Sequence, residues 1–468
     1  MSELPEGVTP APPPEPALSA LVVVVRRGGE GCWEVLLGKR SRRSRFMPGN
    51  LAFPGGKLED SDGPPDAGGL ERCASRELVE ETGVDIAPDR WSAAGARITP
   101  PMFPLRFDAR FFLSEAPEGL ALPDTLPSPD EIESLDFFQP AEVVERWESG
   151  RALVPPPVLP LLRALREPHD DVAALVERVR EINAGEERHP RIEFVPGIWT
   201  LPVATRTLPP ATHTNAWMPG LGSFAILDPG SDDEAEIERL LEVVARHRRE
   251  TGSEPVAVVL THHHDDHVAG ARQLATELAL PVKAHADTLS RVDLVGLRVE
   301  ELKDGDVVDL GGETMTALHT PGHAPGHLAF HLTERSVLLA GDLVSGLSTI
   351  LIDPVEGHMG LYLDSVRRVA KLGCRSVLPA HGPPLPGRAL EKLVTHRLER
   401  EGRIRALLTA QPRPLDEIAR EAYHPDASQV PVALKRPQAL AHLLEMERQG
   451  EAQRSDAEGD AWIRTGGS

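Results

Sequence analysis

A dense run of histidine and aspartate, "THHHDDH", occupies residues 261–267. It follows "PVAVVL", an apolar stretch typical of a buried β-strand. The run has no apolar face, so it is not suited to a packed core. Imidazole nitrogens with a few carboxylates form a ligand set that suits zinc better than magnesium. The run is therefore either a zinc-binding segment or a solvated loop rich in histidine.

Three more residues of ligand type follow apolar stretches elsewhere in the chain. His323 comes after "ETMTALHTPG", Asp342 after "RSVLLAG" and His381 after "RSVLPA". Strands that end at one edge of a sheet bring such residues together, and a solvated loop does not explain this pattern. The whole set is too large for one tetrahedral zinc ion and fits two ions that share a bridging carboxylate. A metal pair can deprotonate a bridging water and polarise the bond under attack.

This set resembles the signature of the metallo-β-lactamase superfamily, which is His-x-His-x-Asp-His followed by a distant His, Asp and His. The resemblance implies an αββα sandwich with a dinuclear zinc centre. It also implies that Asp266 handles the proton of the attacking water. The implied ligands are His262, His264 and His323 for one zinc ion, Asp266, His267 and His381 for the other, and Asp342 for both.

Three neighbouring residues have less certain roles. His263 lies between two implied ligands, and because side chains alternate along an extended segment we expect it to point away from the metals. His327 either supports the site, binds substrate or is an ordinary loop histidine. Asp228 ends the apolar stretch "FAIL", and the same resemblance implies that it supports the ligands without binding metal.

An acidic stretch, "SRELVEETGV", raises a second question. On a helix, Glu77, Glu80 and Glu81 project from one side, where three close carboxylates repel one another. Either they form a solvated face with Arg76 as partner, or a cation neutralises them. Ligand sets made only of oxygen suit hard cations such as Mg²⁺ or Mn²⁺.

Together with the upstream "FPGGKLED", this helix resembles the Nudix box, and Gly83 is predicted to end it. The resemblance implies a Nudix α/β/α fold and a Mg²⁺ or Mn²⁺ ion bound by Glu77, Glu80 and Glu81. Glu80 and Glu81 are implied to be catalytic as well. The implied substrate is a nucleoside diphosphate linked to another moiety, which water cleaves at the pyrophosphate.

The sequence departs from the Nudix box in the loop before the helix. This loop, between Gly56 and Arg76, is longer than in the box, and its usual glutamate is missing. Asp62 or Asp66 is the candidate to orient Arg76 in its place. Glu131 is a candidate further metal ligand or base.

A basic stretch precedes the box and resembles the corresponding segment of coenzyme A diphosphatases, although the match is loose. Its arginines either bind substrate phosphates or form a solvated turn, and the sequence favours neither. These residues are Arg40, Arg42, Arg43 and Arg45.

The length of 468 residues predicts several domains. "GLYLDSVRRV" and "ALAHLLEMERQGEAQR" resemble a hydrolase branch with a small C-terminal winged helix, which includes an endoribonuclease and polyketide thioesterases. The predicted segments are a disordered proline-rich tail (1–17), a Nudix domain (18–168), a helical linker (169–191), a metallo-β-lactamase domain (192–390) and a winged-helix-like helical domain (391–468).

Composition narrows the classes of function. Three widely spread cysteines make no disulfide framework, and no apolar run is long enough for a membrane span. The formal net charge of −22 disfavours non-specific binding to nucleic acid. We therefore expect a soluble, cytoplasmic protein with no membrane partner. The family resemblances imply small-molecule nucleotide or thioester substrates.

The sequence predicts a bifunctional metal-dependent hydrolase. The zinc site would hydrolyse an ester, thioester or phosphodiester, and the Nudix site a nucleoside-diphosphate-linked compound, with coenzyme A as one candidate. One alternative is an endoribonuclease with a nucleotide-handling Nudix domain. Another is a nucleotide-sensing regulator that binds DNA through the winged helix. The oligomeric state is left open.

Overall fold

The computed structural model describes residues 12–29, 32–44, 47–188, 191–423, 432–455 and 460–465. Most of the predicted disordered tail and Arg45 lie outside these residues. The chain forms two compact units. One contains residues 14–100 and 105–199, and the other contains residues 200–468 with the short segments 1–13 and 101–104. None of the described helices is long and apolar enough to cross a membrane.

The first unit is built on a mixed sheet of order β3-β2-β1-β6-β5, with β4 paired to β1 and β7 to β2. Strands β1 and β2 pair antiparallel, whereas β1 and β6 pair parallel. The strands are β1 Ala17–Arg27, β2 Trp33–Arg40, β3 Leu51–Ala52, β4 Gly55–Lys57, β5 Ser92–Ile98, β6 Phe107–Glu115 and β7 Ile132–Phe138. The helices are α1 Ala67–Thr82, α2 Pro140–Glu148, α3 Leu159–Leu165 and α4 Val172–Arg188, with short 3-10 helices at Asp60–Asp62 and Pro88–Arg90.

Helix α1 carries the acidic stretch, and local chemistry sets both of its ends. Asp66 caps the N-terminus by accepting a hydrogen bond from the backbone N–H of Gly69. Gly83 ends the helix in the left-handed conformation, with φ of 73°, as predicted. Leu78 is fully buried between α1 and the sheet. The three glutamates of α1 differ in burial: Glu80 is exposed, Glu77 is half-buried and Glu81 is buried.

Helix α4, which lies in the predicted linker, packs on the first sheet. Leu175 and Val179 are fully buried in the core of this unit. The side-chain amide of Asn183 donates a 2.7 Å hydrogen bond to the carbonyl of Ala94 in β5. The helix is thus part of the folded first unit.

Residues 192–390 contain two sheets. The second sheet has the order β14-β13-β12-β11-β10-β9-β8, and the third has the order β15-β16-β17-β18-β19-β20. The strands of the second sheet are β8 Ile192–Val195, β9 Ile198–Ala204, β10 His213–Pro219, β11 Ser223–Leu227, β12 Glu254–Val259, β13 Val282–Ala284 and β14 Val299–Glu301. Those of the third are β15 Val307–Asp309, β16 Thr314–His319, β17 Leu328–Leu332, β18 Val337–Gly341, β19 Ser376–Pro379 and β20 Leu385–Pro386. The helices are α5 Glu234–Thr251, α6 Asp265–Val268, α7 Ala271–Glu277, α8 Ala286–Leu289 and α9 Met359–Ala370.

The C-terminal part combines helices with a small sheet. Its sequence pattern is mostly helical, but three short strands in the order β21-β23-β22 complete it. Its elements are α10 Ala389–Leu407, β21 Arg413–Pro414, α11 Leu415–Glu421, α12 Val432–Arg448, β22 Ala452–Arg454 and β23 Ala461–Arg464. Leu390 of α10 and Ala441 of α12 share a buried cluster with Tyr362 of α9. This part therefore packs directly against the preceding α/β domain.

Candidate metal centres

The predicted zinc ligands leave the ends of strands in two different sheets. His262, His264 and the short helix α6 follow β12 of the second sheet. His323, Asp342 and His381 follow β16, β18 and β19 of the third. The expectation of a single sheet edge was therefore wrong, because β12 pairs only with β11 and β13. The site forms where strand ends of the two sheets meet.

The first group of ligands consists of three imidazoles that face one another. His264 Nδ1 lies 2.9 Å from His262 Nε2 and 3.0 Å from His323 Nε2, and the latter two atoms are 3.3 Å apart. Three nitrogens around a tetrahedral zinc ion lie about 3.3 Å apart when each is bound at about 2.0–2.1 Å. The three imidazoles are thus spaced as a metal ion requires.

The second group brings together two histidines and two aspartates. His381 Nε2 lies 3.4 Å from Asp266 Oδ2 and 3.4 Å from Asp342 Oδ1. His267 Nε2 lies 3.6 Å from Asp342 Oδ1. The other oxygen of Asp342, Oδ2, lies 3.5 Å from His323 Nε2 in the first group. Asp342 therefore contacts both groups, as a bridging ligand must.

Two buried polar atoms support a cation at this position. Among the described residues, His267 Nε2 and Asp342 Oδ1 are buried and have no hydrogen-bond partner. A buried polar atom without a partner is costly, and a metal ion would satisfy both atoms at once. The donor set of nitrogens and carboxylates suits zinc. The residues thus fit the metal pair that the sequence predicts.

The protonation of the histidines differs between the two groups. Burial, and then the neighbouring histidines, hold the pKa of His262 well below its ordinary value. Burial lowers the pKa of His323 to about 4. Burial alone would also lower the pKa of His267, but the carboxylates of Asp228, Asp266 and Asp342 outweigh it and the net shift is upward. His262 and His323 are therefore neutral at pH 7, with nitrogen lone pairs free to bind a cation.

Asp228 orients two parts of the site, as expected. It lies just after β11 with a positive φ of 49°, and its carboxylate accepts hydrogen bonds from Thr261 N at 2.8 Å and Thr261 Oγ1 at 2.7 Å. The carboxylate also lies 2.9 Å from His267 Nδ1. A carboxylate on the far nitrogen of a histidine fixes its tautomer and leaves Nε2 for the metal.

His327 is a buried support for Asp342. Its Nε2 accepts a 3.0 Å hydrogen bond from the backbone N–H of Asp342, and its Nδ1 lies 2.8 Å from Thr320 Oγ1. Gly341 precedes Asp342 with φ of 50°, and a Cβ there would lie 2.7 Å from His327 Nε2. Of the three alternatives for His327, the structure favours support of the site.

Glu356 is a residue that the sequence analysis missed. Its two carboxylate oxygens lie 2.6 Å from His264 Nε2 and 3.0 Å from His263 Nε2. His263 lies outside the two groups of predicted zinc ligands and joins a third group with His264 and Glu356. Glu356 stands in "DPVEGH", far from the histidine run, with no spacing signal to link them.

The predicted Nudix ligands surround the backbone of β4. Glu81 Oε2 accepts a 2.9 Å hydrogen bond from the backbone N–H of Gly55. A Cβ on Gly56 would lie 2.3 Å from the carboxylate of Glu77, so a side chain there would displace this carboxylate. Glu80 is more than half exposed and pairs with Arg76. Among the described residues, Glu77, Glu80 and Glu81 do not form a group whose ligand atoms all lie within 4.8 Å of one another. The groups of three or more residues that meet this criterion are all in the other unit.

Asp62 orients Arg76. Its two carboxylate oxygens accept hydrogen bonds of 2.9 Å from Nε and Nη2 of Arg76, and it is almost fully buried. Arg76 in turn reaches Glu77 and Glu80, each at 2.9 Å. Asp66, the other candidate, caps α1 instead. The longer loop therefore supplies an aspartate to the position of the missing glutamate.

Burial changes the acidity of two of the Nudix glutamates. It raises the pKa of Glu81 to about 7, against an opposing hydrogen bond from Gly55. It also raises the pKa of Glu77, against Arg76. Glu131 lies close enough to raise both values further. Buried carboxylates with raised pKa values are typical of sites where a cation or a proton transfer is needed.

The arginines before the Nudix box have different surroundings. Arg40 lies close enough to Glu81 to oppose the rise of its pKa. Arg43 is highly exposed and lies 3.6 Å from Asp130. Arg42 is also exposed. Of Arg40, Arg42 and Arg43, Arg40 is thus the one that interacts with Glu81.

Comparison with known proteins identifies both domains. A family model described as the metallo-beta-lactamase superfamily matches residues 210–381, and one described as the NUDIX domain matches residues 15–156. The chain therefore carries a Nudix domain and a metallo-β-lactamase domain, and both are hydrolase domains. These findings confirm the two family resemblances.

Two curated relatives with lactamase-like names match part of this chain. The lactamase-like protein adaB of Aspergillus niger is 32% identical over 207 residues, which cover 43% of this chain and 59% of that protein. The beta-lactamase-like protein 2 homolog of Caenorhabditis elegans is 30% identical over 197 residues, which cover 41% of this chain and 64% of that protein. The chain thus spans less than two thirds of the length of these relatives.

Among solved structures, a beta-lactamase domain protein from Burkholderia ambifaria aligns with a TM-score of 0.50 at 23% identity, covering 59% of this chain and 93% of that one. This likeness shows the fold alone. A NUDIX hydrolase from Alicyclobacillus acidocaldarius aligns with a TM-score of 0.30 at 25% identity, covering 34% of this chain and 96% of that one.

Proposed function

Because this chain joins a Nudix hydrolase domain to a metallo-β-lactamase hydrolase domain, we propose that it is a bifunctional hydrolase with a dinuclear zinc site and a separate Mg²⁺ or Mn²⁺ site. The observation that carries this proposal is the position of Asp342, whose two oxygens face His323 on one side and His267 with His381 on the other. A metal pair bound there would supply a water of lowered pKa and would polarise the scissile bond.

In the zinc site, the protein's own residues have distinct roles. We propose that the three histidines of the first group and Asp342 bind one ion, and that Asp266, His267, His381 and Asp342 bind the other. Asp228 and Glu356 hold His267 and His264 in the orientation that aims the correct nitrogen at the metal. Asp266 is partly exposed, whereas His267 is fully buried. Asp266 can therefore exchange a proton with a bound substrate and with solvent.

We propose that the substrate of this site is an ester, thioester or phosphodiester cleaved by water. A second candidate function, endoribonuclease activity, is disfavoured by the charge. The formal net charge of −22 repels a polyanion, and salt screens this repulsion only in part. Small esters and thioesters are not polyanions, so this repulsion does not oppose their binding. A thioester is the substrate we would test first.

In the Nudix site, we propose that Glu77, Glu80 and Glu81 hold the cation, with Glu80 and Glu81 taking part in catalysis. Asp62 supports this by holding Arg76, which in turn fixes Glu77 and Glu80. Glu131 is proposed as a further ligand or base. The proposed substrate is a nucleoside diphosphate linked to another moiety, with coenzyme A as one candidate.

For the C-terminal part, we propose a winged-helix-like arrangement that packs against the α/β domain. Three helices and a three-stranded sheet support it. The shared buried cluster with α9 supports a packing role in preference to recognition of nucleic acid.

One pair of variants of the full-length protein tests the assignment of the two sites. Asp266→Ala should lose hydrolysis of acyl thioesters and keep hydrolysis of coenzyme A and nucleotide sugars. Glu81→Gln should show the opposite pattern. The activity that each variant keeps shows that the variant is still folded. If one variant lost both activities, or neither lost any, the assignment of two independent sites would be wrong.

A further inference from the structure

Cationic side chains are concentrated on one region of the C-terminal part. Arg397 is fully buried, and Arg400 and Lys435 are each only 6% exposed. His396 and Arg403 are half-buried beside them. We define the cationic cluster as Arg397, Arg400 and Arg403 of α10 and Lys435 of α12, with His396 of α10 as a neutral neighbour.

The helical repeat explains how these residues meet. On α10, His396, Arg400 and Arg403 are four and three positions apart, so they form one stripe along the helix. The ring of Tyr423 lies against this stripe, 4.4 Å from the Arg400 guanidinium. Lys435 of α12 approaches the same ring at 5.5 Å. Cations from two helices therefore surround one aromatic ring.

The hydrogen-bond partners of the cluster among the described residues are neutral. Arg397 donates to the side-chain oxygen of Gln438 at 2.7 Å and to the carbonyl of Ile350. Arg400 donates to His396 Nε2 at 3.1 Å. Neutral acceptors do not compensate the charge of a guanidinium.

The nearby carboxylates are engaged elsewhere or exposed. Glu401 lies 3.0 Å from Arg405 and 3.5 Å from His442. Glu399 is exposed to solvent. In the part of the chain that the structure describes, the Nε atoms of Arg397, Arg400 and Arg403 are buried without any hydrogen-bond partner. Three guanidinium groups therefore each hold a donor ready for an acceptor.

Burying several arginine side chains with only neutral partners lowers the stability of the fold unless an anion binds beside them. A buried charge without a counter-charge is strongly unfavourable. The arginines also affect a neighbouring group. Burial, and then the nearby arginines, lower the pKa of His396 to about 4. Burial also lowers the pKa of Arg400. The cluster thus has the electrostatic character of a site whose anion neutralises it.

We propose that the cationic cluster binds the phosphate group of a small molecule. Guanidinium groups form strong charge-assisted hydrogen bonds with phosphate oxygens, and the cluster supplies cationic side chains from two helices. Nucleic acid is the less suitable ligand, because two of the three arginines are at least nine-tenths buried. An extended phosphate backbone requires an exposed basic face, and the chain as a whole carries a charge of −22.

The cluster lies beside the segment that supports the zinc site. Arg397 donates to the carbonyl of Ile350, and the carbonyl of the next residue, Leu351, lies 2.8 Å from His323 Nδ1. The cluster and this metal ligand are therefore connected through two consecutive residues of one segment. The inference does not depend on which bond the zinc site cleaves.

The sharpest test compares the unfolding temperatures of a variant and the wild type with and without phosphate. The difference between the two temperatures should change sign when phosphate is added. Arg403 is half-buried, so Arg403→Gln removes a charge without leaving a large cavity. In buffer free of phosphate and sulfate, this variant should unfold at the same or a higher temperature than the wild type, because it relieves repulsion. In inorganic phosphate the order should reverse, because only the wild type gains a strongly bound anion. Arg420→Gln, which removes an exposed charge from α11, should follow the wild type in both buffers.

Calorimetric titration with inorganic phosphate provides the second measurement. Arg403→Gln and Arg400→Gln should each weaken phosphate binding by about tenfold or more, whereas Arg420→Gln should not change it. Phosphate also binds metal ions, so the titration is repeated with Asp342→Ala, which should retain the site. Loss of binding in Asp342→Ala alone, or a lower unfolding temperature of Arg403→Gln in both buffers, would overturn the proposal.

Competition experiments identify the source of the phosphate. Adenosine 3′,5′-bisphosphate, a nucleotide with a terminal phosphate, should displace inorganic phosphate from the wild type and not from Arg403→Gln. Single-stranded RNA should compete poorly. If RNA bound more tightly than the nucleotide and required the same arginines, the cluster would be a nucleic-acid surface and the proposal would be wrong.

Discussion

At the scale of single residues, Glu356 shows how a side chain outside the ligand set can control it. Its contact with His264 Nε2 leaves Nδ1 of the same ring facing the other two histidines. Carboxylates in this position fix the ring and strengthen it as a ligand. Because it also contacts His263, Glu356 holds two consecutive histidines at once.

We predict that Glu356→Gln lowers zinc affinity about 10- to 100-fold, because the amide cannot supply the negative charge that orients His264. Competition with a chromophoric chelator measures this directly. The control is His263→Gln, which removes the other partner of Glu356 and should have a much smaller effect. Equal losses in the two variants would contradict the role assigned to Glu356.

We predict that Glu81 makes metal binding in the proposed Nudix site dependent on pH. Its pKa in the folded, metal-free protein is about 7, so below pH 7 the group is mostly protonated and the cation must displace a proton. Mn²⁺ affinity should therefore fall about tenfold for each pH unit below 7 and level off above it.

Titration of Mn²⁺ binding between pH 5.5 and 8.5, followed by paramagnetic resonance, checks this dependence. Glu81→Gln should bind more weakly at pH 8 and should lack most of the slope. A wild-type affinity that stayed constant from pH 5.5 to 7 would show that Glu81 is ionised throughout.

At the scale of elements, helix α1 and the loop before it divide two tasks between two aspartates. Asp62 holds Arg76, and Asp66 caps the helix. We predict that Asp62→Asn lowers the turnover of pyrophosphate substrates about 10- to 100-fold, because Arg76 loses its charged anchor and shifts against Glu77 and Glu80.

Asp66→Asn is the matched control, because it removes the same charge and asparagine caps a helix as well as aspartate does. It should keep near wild-type turnover and stability. Steady-state kinetics of both variants decide the question. A larger loss of turnover in Asp66→Asn than in Asp62→Asn would reverse the two assignments.

Strand ends explain how distant residues form the proposed zinc site. The apolar strands β12, β16, β18 and β19 are readable in the sequence, and each is followed by its predicted ligand. Their division between two sheets is not readable, because residues alone do not say which strands pair. Backbone turns with positive φ at Asp228 and Gly341 then take the chain out of the strands toward the site.

At the scale of the whole molecule, the two sites should respond to different metals. Carboxylates suit Mg²⁺, which keeps several waters and exchanges readily, whereas the five imidazoles and two carboxylates of the other site favour zinc. Brief treatment with a chelator should therefore abolish the Nudix activity at once and the activity of the metallo-β-lactamase domain more slowly.

After removal of the chelator, excess Mg²⁺ should restore only the Nudix activity, and two equivalents of Zn²⁺ should restore only the other. Assays of both activities on one stripped sample, together with elemental analysis, check this outcome. Recovery of the second activity by Mg²⁺ alone, or saturation at one zinc ion per chain, would contradict the dinuclear zinc site.

The sequence by itself determined the two domain families and the candidate chemistry of each site, because ligand types and spacing are local properties of the chain. It also predicted the end of α1 at Gly83, since a left-handed cap needs only local geometry. Tertiary structure alone decided the rest. It placed Asp62 and not Asp66 on Arg76, brought Glu356 to His264, and packed α4 on the first sheet. It also assembled arginines around Tyr423. These outcomes depend on which surfaces meet, and contacts between segments far apart in the chain leave no periodic signal in the sequence.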